Sequence, residues 1–77
     1  MQIDGVTYTT TPEDRGARYV RANGQAIGAY RLDQSGGDMR GKWIGSHTGS
    51  TARIEDTEEQ LVRGIIADYR DSRNSSR

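Results

Sequence analysis

The chain has 77 residues, 31% of them hydrophobic, with ten Gly, no Cys and no Phe, and its eleven basic side chains balance eleven acidic ones. That length makes one domain hiding only about 60% of the surface its unfolded chain exposes, so the core is thin, while zero net charge argues against wholesale disorder. The missing Cys excludes a disulfide framework and a thiolate metal site, and no apolar run approaches the roughly 20 residues needed to span a bilayer.

Met1-Gln2-Ile3-Asp4 has neither the basic nor the apolar region of a secretory leader, so a cytoplasmic location is expected. Ile3 to Thr9 carries Ile3, Val6, Tyr8 and threonines, which favours a strand with a break or bulge near Asp4-Gly5. Thr11 to Gly16 combines Pro12, two acids and Gly, and reads as a loop. Ala17–Ala22 and Gln25–Asp33 flank Asn23-Gly24, a pair suited to the positive φ angles of a type I′ hairpin turn. A Gly-rich turn over 34–38 leads into a strand from Met39 to Ser46, and His47 to Ser50 turns the chain into a brief strand from Thr51 to Ile54.

The helix has start signals and a face. Asp56 or Thr57 is the N-cap, with Glu59 or Gln60 three residues on, and Glu58 and Glu59 sit where the positive helix end favours acids. Leu61, Val62, Ile65, Ile66 and Tyr69 recur at a spacing that places them on one side, facing the sheet. Gly64 within this helix marks close approach to a strand. These elements make an α+β fold, a small antiparallel sheet of three to five strands packed by one C-terminal α-helix. Residues 1–70 form the domain and the polar tail 71–77 frays.

No catalytic constellation, metal site or cofactor site emerges. Gly36 to Lys42 matches the start of a phosphate-binding P-loop, but Trp43 replaces the magnesium-binding Ser or Thr and a strand follows where a helix is needed. His47 is the only histidine and reads as a surface turn residue. Glu55, Asp56, Glu58 and Glu59 are explained by the helix start.

Charge is uneven along the chain. Residues 15–53 hold seven bases and two acids, a net of +5; residues 55–77 hold six acids and four bases, a net of −2. With Val20, Ile27, Ile44 and the helix stripe as the core, period-two alternation sends Tyr19, Arg21 and Trp43 to the opposite face with some of Arg31, Arg40 and Lys42. The other arrangement turns Trp43 inward as a main core residue of a chain without Phe.

Trp43-Ile44-Gly45 in a strand, then Asp56-Thr57-Glu58-Glu59 and a helix ending Ala67-Asp68-Tyr69, resembles the strand and helix of plant AP2-type DNA-binding domains and, more loosely, the arm-binding domains of phage integrases. The similarity covers about half the chain. It implies a three-stranded sheet entering the major groove, with contacts on Arg18, Arg21, Arg31 and Lys42. Roughly ten residues separate Gly45 from Asp56 where the AP2 pattern has very few, and the dense Arg and Trp spacing of its first strands is absent. Size and Arg-rich style also resemble a small phage or mobile-element accessory protein.

The expectation is a non-enzymatic binding module that takes nucleic acid on a basic sheet face built from Arg18, Tyr19, Arg21, Arg31, Arg40, Lys42 and Trp43. The alternative is a protein-binding or inhibitory module acting through an exposed strand edge or the aromatic face, with a homodimer through such an edge among the pairings open to it.

Overall fold

In a computed structural model, residues 1–12, 16–34, 37–38 and 40–75 are described. Six strands run in the order β1 (Gln2–Ile3), β2 (Val6–Pro12), β3 (Arg18–Ala22), β4 (Gln25–Leu32), β5 (Trp43–His47) and β6 (Arg53–Glu55), followed by α1 (Glu58–Ser75). Each strand pairs antiparallel with the next, giving a curled meander with α1 packed on one face.

The sixth strand comes from a turn. Asp4 and Gly5 both have positive φ, 52° and 80°, as do Asn23 and Gly24, at 51° and 88°. Asp-Gly is as good a type I′ pair as Asn-Gly, so the expected bulge is a full hairpin turn and the expected single strand is two. Other boundaries move: β2 runs to Pro12, into the expected loop, β5 begins at Trp43 after a turn at Arg40-Gly41, and β6 is Arg53–Glu55 where Thr51 to Ile54 was expected. His47 opens the expected turn, its carbonyl accepting from Ser50 N–H at 2.9 Å, but it also ends β5 and is half-buried, with its ring 5.6 Å from Tyr69. The helix runs on to Ser75; near its end Arg70 pairs with Asp4, and Arg73 donates to Tyr69 Oη at 3.2 Å within the helix. Met39, the expected start of the fifth strand, lies outside the described residues.

The helix start follows its sequence signals. Thr57 Oγ1 accepts from the Gln60 backbone N–H at 3.2 Å, making Thr57 the N-cap. Leu61, Ile65 and Ile66 are buried against Tyr8, Val20, Ala22, Ile27 and Tyr30, with Val62 and Tyr69 at the margin. Gly64 faces β6: a Cβ there would lie 2.7 Å from Arg53 Cδ.

Pairing register decides which side chains face α1. Val20 stands opposite Gly28 and Arg21 opposite Ala26, so Ile27 is an extra residue in β4. This bulge resets the alternation and turns both Ile27 and Gly28 inward. Beyond it, Tyr30 pairs with Gly45 and Leu32 with Trp43, all on the helix side, while Arg31 pairs with Ile44 on the other. Trp43 therefore packs against the core, its ring 5.9 Å from that of Tyr30. Ile44, expected in the core, faces outward instead.

Gly45 makes that arrangement possible. A Cβ at this position would sit 2.3 Å from Tyr30 Cβ and 2.4 Å from the Ala29 carbonyl oxygen. Only a residue without one lets the strands approach there.

Candidate interaction face

Two faces of the sheet divide the predicted site residues. The inner seam, between sheet and helix, takes three of them. Arg18 shares the parity of Val20 and lies 3.7 Å from Glu58 of the first helical turn. Lys42, just before β5, pairs with Asp56 just before the helix. Trp43 packs beside Tyr30. The seam is polar but partnered: Tyr30 Oη donates to Glu58 at 2.5 Å, and Arg53 forks onto Asp68 through Nε at 2.7 Å and Nη2 at 2.9 Å. Burial, then the hydrogen bond to Glu58, pushes the Tyr30 hydroxyl up to about 12. The bond from Arg53, reinforced by its charge, holds Asp68 below the usual carboxylate range.

The outer face takes Tyr19, Arg21 and Arg31. Arg21 lies 5.7 Å from the centre of the Tyr19 ring, a cation–π stack, and donates to Thr11 Oγ1 and to the Gly24 carbonyl, each at 3.2 Å. Strand register builds two rows beside this pair. One runs Thr11, Tyr19, Ala29, Ser46; the other runs Arg31, Ile44, Ile54. Tyr19 is 36% exposed and Ile54 46%, and Arg31 is exposed without an ion-pair partner among the described residues. The strand residues of this face include two arginines, two isoleucines and a tyrosine, and no carboxylate.

Arg40 belongs to neither face. It sits in the turn joining β4 to β5, beside an open cleft of about 310 Å³ lined by Leu32, Asp33, Gln34 and Gly41. The described part of the P-loop-like stretch, Gly37, Asp38 and Arg40 to Lys42, lies here, and its backbone closes on itself, Arg40 N–H donating to Gly37 and Gly41 N–H to Asp33. Among the described residues no group of three His, Asp or Glu side chains converges as a metal site would require.

The seven candidates thus form no single surface. Arg18, Lys42 and Trp43 lie on the helix side or at its seam, Tyr19, Arg21 and Arg31 lie on the outer face, and Arg40 lies in a turn. Sequence reasoning missed Ile44 and Ile54, which join the outer face. Alternation in Arg53-Ile54-Glu55 would instead have turned Ile54 inward and the charges out, so only the register of β5 and β6 reveals its place.

Comparisons of the chain with protein families, with curated proteins and with solved structures find no match. The four positions that the AP2-type resemblance would place in a groove, Arg18, Arg21, Arg31 and Lys42, are divided between the two sides of this sheet.

Proposed function

We propose that this protein is a non-enzymatic binding module whose outer sheet face docks a protein surface presenting apolar side chains and at least one carboxylate. One observation supports this reading above the others: Arg31, Ile44 and Ile54 form a row beside the Tyr19–Arg21 stack, with no acid among the strand residues of that face. Tyr and Arg held rigid by neighbours, next to apolar contact area, are the chemistry of interface hot spots. Arg21 is already oriented by two hydrogen bonds, so less freedom is lost when it meets a carboxylate.

Nucleic acid on the same face is the second reading, favoured by the absence of carboxylates among the outer-face strand residues and by the stacked arginine. Magnitude weighs against it. Two arginines neutralising two phosphates would give a log–log salt slope of about −2, whereas proteins making 6 to 10 phosphate contacts show slopes of roughly −5 to −9.

The test is affinity capture from host lysate with the parent chain and with Tyr19→Ser and Arg31→Glu, each with and without nuclease. Neither side chain lies in the buried core, so both variants are expected to fold, which circular dichroism checks. The protein reading expects a partner that survives nuclease and is lost with either variant. Recovery of nuclease-sensitive material, with affinity falling at a slope steeper than about −4 in log salt, would replace it with the nucleic-acid reading. Equal recovery by parent and variants would exclude this face altogether.

A further inference from the structure

The two edges of the sheet are not equivalent. At one edge β1 covers the first part of β2, and Tyr8 exchanges hydrogen bonds with Met1, its N–H donating at 2.7 Å and its carbonyl accepting from the N-terminal ammonium at 3.1 Å. The same edge ends on Pro12, which has no N–H to offer another strand. At the other edge lies β6, with no proline and, among the described residues, nothing paired beyond it.

Ladder phase shows what β6 presents. Asp33 N–H donates to the Lys42 carbonyl at 2.8 Å and Thr48 N–H to the Ile27 carbonyl at 3.0 Å. Antiparallel residues alternate in direction, so Lys42, Ile44, Ser46 and Thr48 turn their backbone groups towards β4, and Trp43, Gly45 and His47 turn theirs towards β6. Glu55 and Arg53, opposite Trp43 and Gly45, complete that ladder. The N–H and C=O of Ile54 therefore point away from the sheet.

We propose that two copies of this chain join edge to edge through β6, antiparallel, about a two-fold axis at Ile54. In that register each Ile54 N–H donates to the Ile54 carbonyl of the other copy, closing a hydrogen-bonded pair. Arg53 then stands opposite Glu55 of the second copy, and Glu55 opposite its Arg53. Charged residues usually protect an edge by repelling a like strand; here the two charges flank Ile54 symmetrically with opposite sign, so self-pairing brings unlike charges together. Arg53 can serve both partners. Asp68 takes Nε and Nη2, and Nη1, which faces Glu55 at 3.6 Å, has hydrogens left to donate.

On the outer face the two apolar rows fuse into one, Ile44 and Ile54 of one copy meeting Ile54 and Ile44 of the other, with an Arg31 at each end. Three-residue strands keep the contact area below the roughly 1,200 Å² of a standard interface, so the dimer is weak and reversible. It is isologous and closes at two copies.

The test is sedimentation equilibrium and two-dimensional amide NMR of the full chain from low micromolar to about 1 mM. The parent is expected to pass from monomer to dimer over that range, and the Ile54 amide to shift with concentration more than those of Arg53 and Glu55. Ile54→Pro deletes the outward N–H and no in-chain ladder bond, so it is expected to stay folded by circular dichroism and monomeric. Glu55→Arg sets Arg against Arg and is expected to weaken association at least tenfold at low salt, with recovery at high salt. Arg31→Glu, which disables the outer face proposed above, is expected to leave the dimer intact, and so separates failure of that reading from failure of this one. A parent that remains monomeric at about 1 mM, or a dimer whose affinity Glu55→Arg leaves unchanged, would overturn the proposal.

Discussion

Gly45→Ala is the most severe small substitution this fold predicts. The added Cβ would lie 2.3 Å from Tyr30 Cβ, 2.6 Å from Tyr30 Cα and 2.4 Å from the Ala29 carbonyl oxygen. None of these atoms can swing aside by a change of rotamer, because they belong to the β4 backbone or sit directly on it. Reaching an ordinary contact of about 3.5 to 4 Å requires β4 and β5 to separate by more than 1 Å. That movement would break the ladder bonds beside Gly45 and pull Tyr30 from Glu58 and from Trp43. Overpacking typically costs about 1 to 3 kcal/mol, and a clash confined to backbone belongs at or above the top of that range. A chain of this size is stable by only about 4 to 11 kcal/mol, so Gly45→Ala should remove about a quarter or more of the total. Urea denaturation followed by far-ultraviolet circular dichroism measures the loss directly. Gly64→Ala is the control: its Cβ meets only side-chain atoms of Arg53, which can shift at some cost to the Asp68 bond where the β4 backbone cannot, and the change from Gly to Ala favours a helix by up to about 1 kcal/mol. A Gly45→Ala protein within about 0.5 kcal/mol of the parent would refute the close-approach argument.

Other outcomes follow from the seam between sheet and helix. Thr57→Ala deletes the N-cap hydrogen bond to Gln60 and should lower stability by about 1 kcal/mol in the same urea assay, with Thr57→Asp close to the parent. Tyr30, raised to about 12 from an ordinary 10, stays protonated in the fold at a pH where the unfolded chain ionises. Stability should therefore fall as pH rises from about 10 to 12, by about 2 to 3 kcal/mol in all, and Tyr30→Phe should abolish that alkaline limb in thermal melts at stepped pH. Asp68 carries the opposite sign: its depressed value stabilises the fold above the unfolded carboxylate range, and this contribution is lost as pH falls through its folded value. Asp68→Asn should lower neutral-pH stability and flatten the acid limb.

The sequence made the hairpin at Asn23-Gly24, the helix start at Thr57 and the Leu61 to Tyr69 stripe legible, because each is a local signal with one physical reading. Asp4-Gly5 offered the same turn chemistry, but its first strand is only two residues long, too short for alternation to show. Residue parity was harder to read. Trp43 and Ile44 are adjacent and both apolar, so alternation alone cannot say which one faces the helix; the answer depends on Gly45, which must stand opposite Tyr30. The bulge at Ile27 shifts the phase of β4 by one residue, and a lone Ile-Gly gives little warning of it. The outer face was therefore half legible. Tyr19 and Arg21 follow from the parity of Val20, whereas Ile44 and Ile54 require the register of β5.

A basic stretch of sequence is not a basic surface, and this chain shows why in three pairings. Of the seven bases between residues 15 and 53, Arg18, Lys42 and Arg53 meet Glu58, Asp56 and Asp68, carboxylates on α1 or just before it. Net charge summed along the chain is thus largely consumed where the helix closes the sheet, and the +5 of one segment and the −2 of the other describe a seam more than a binding site. The strands of the outer face gain from this segregation because the helix acids lie on the other side of the sheet. Arg31 remains exposed beside Ile44 and Ile54, one cation against two apolar residues. A partner of this face accordingly draws most of its affinity from buried apolar area, which salt does not screen, and takes orientation from the arginines, which salt does. Raising ionic strength should slow association more than it speeds dissociation, the reverse of what loss of the isoleucine contacts would produce.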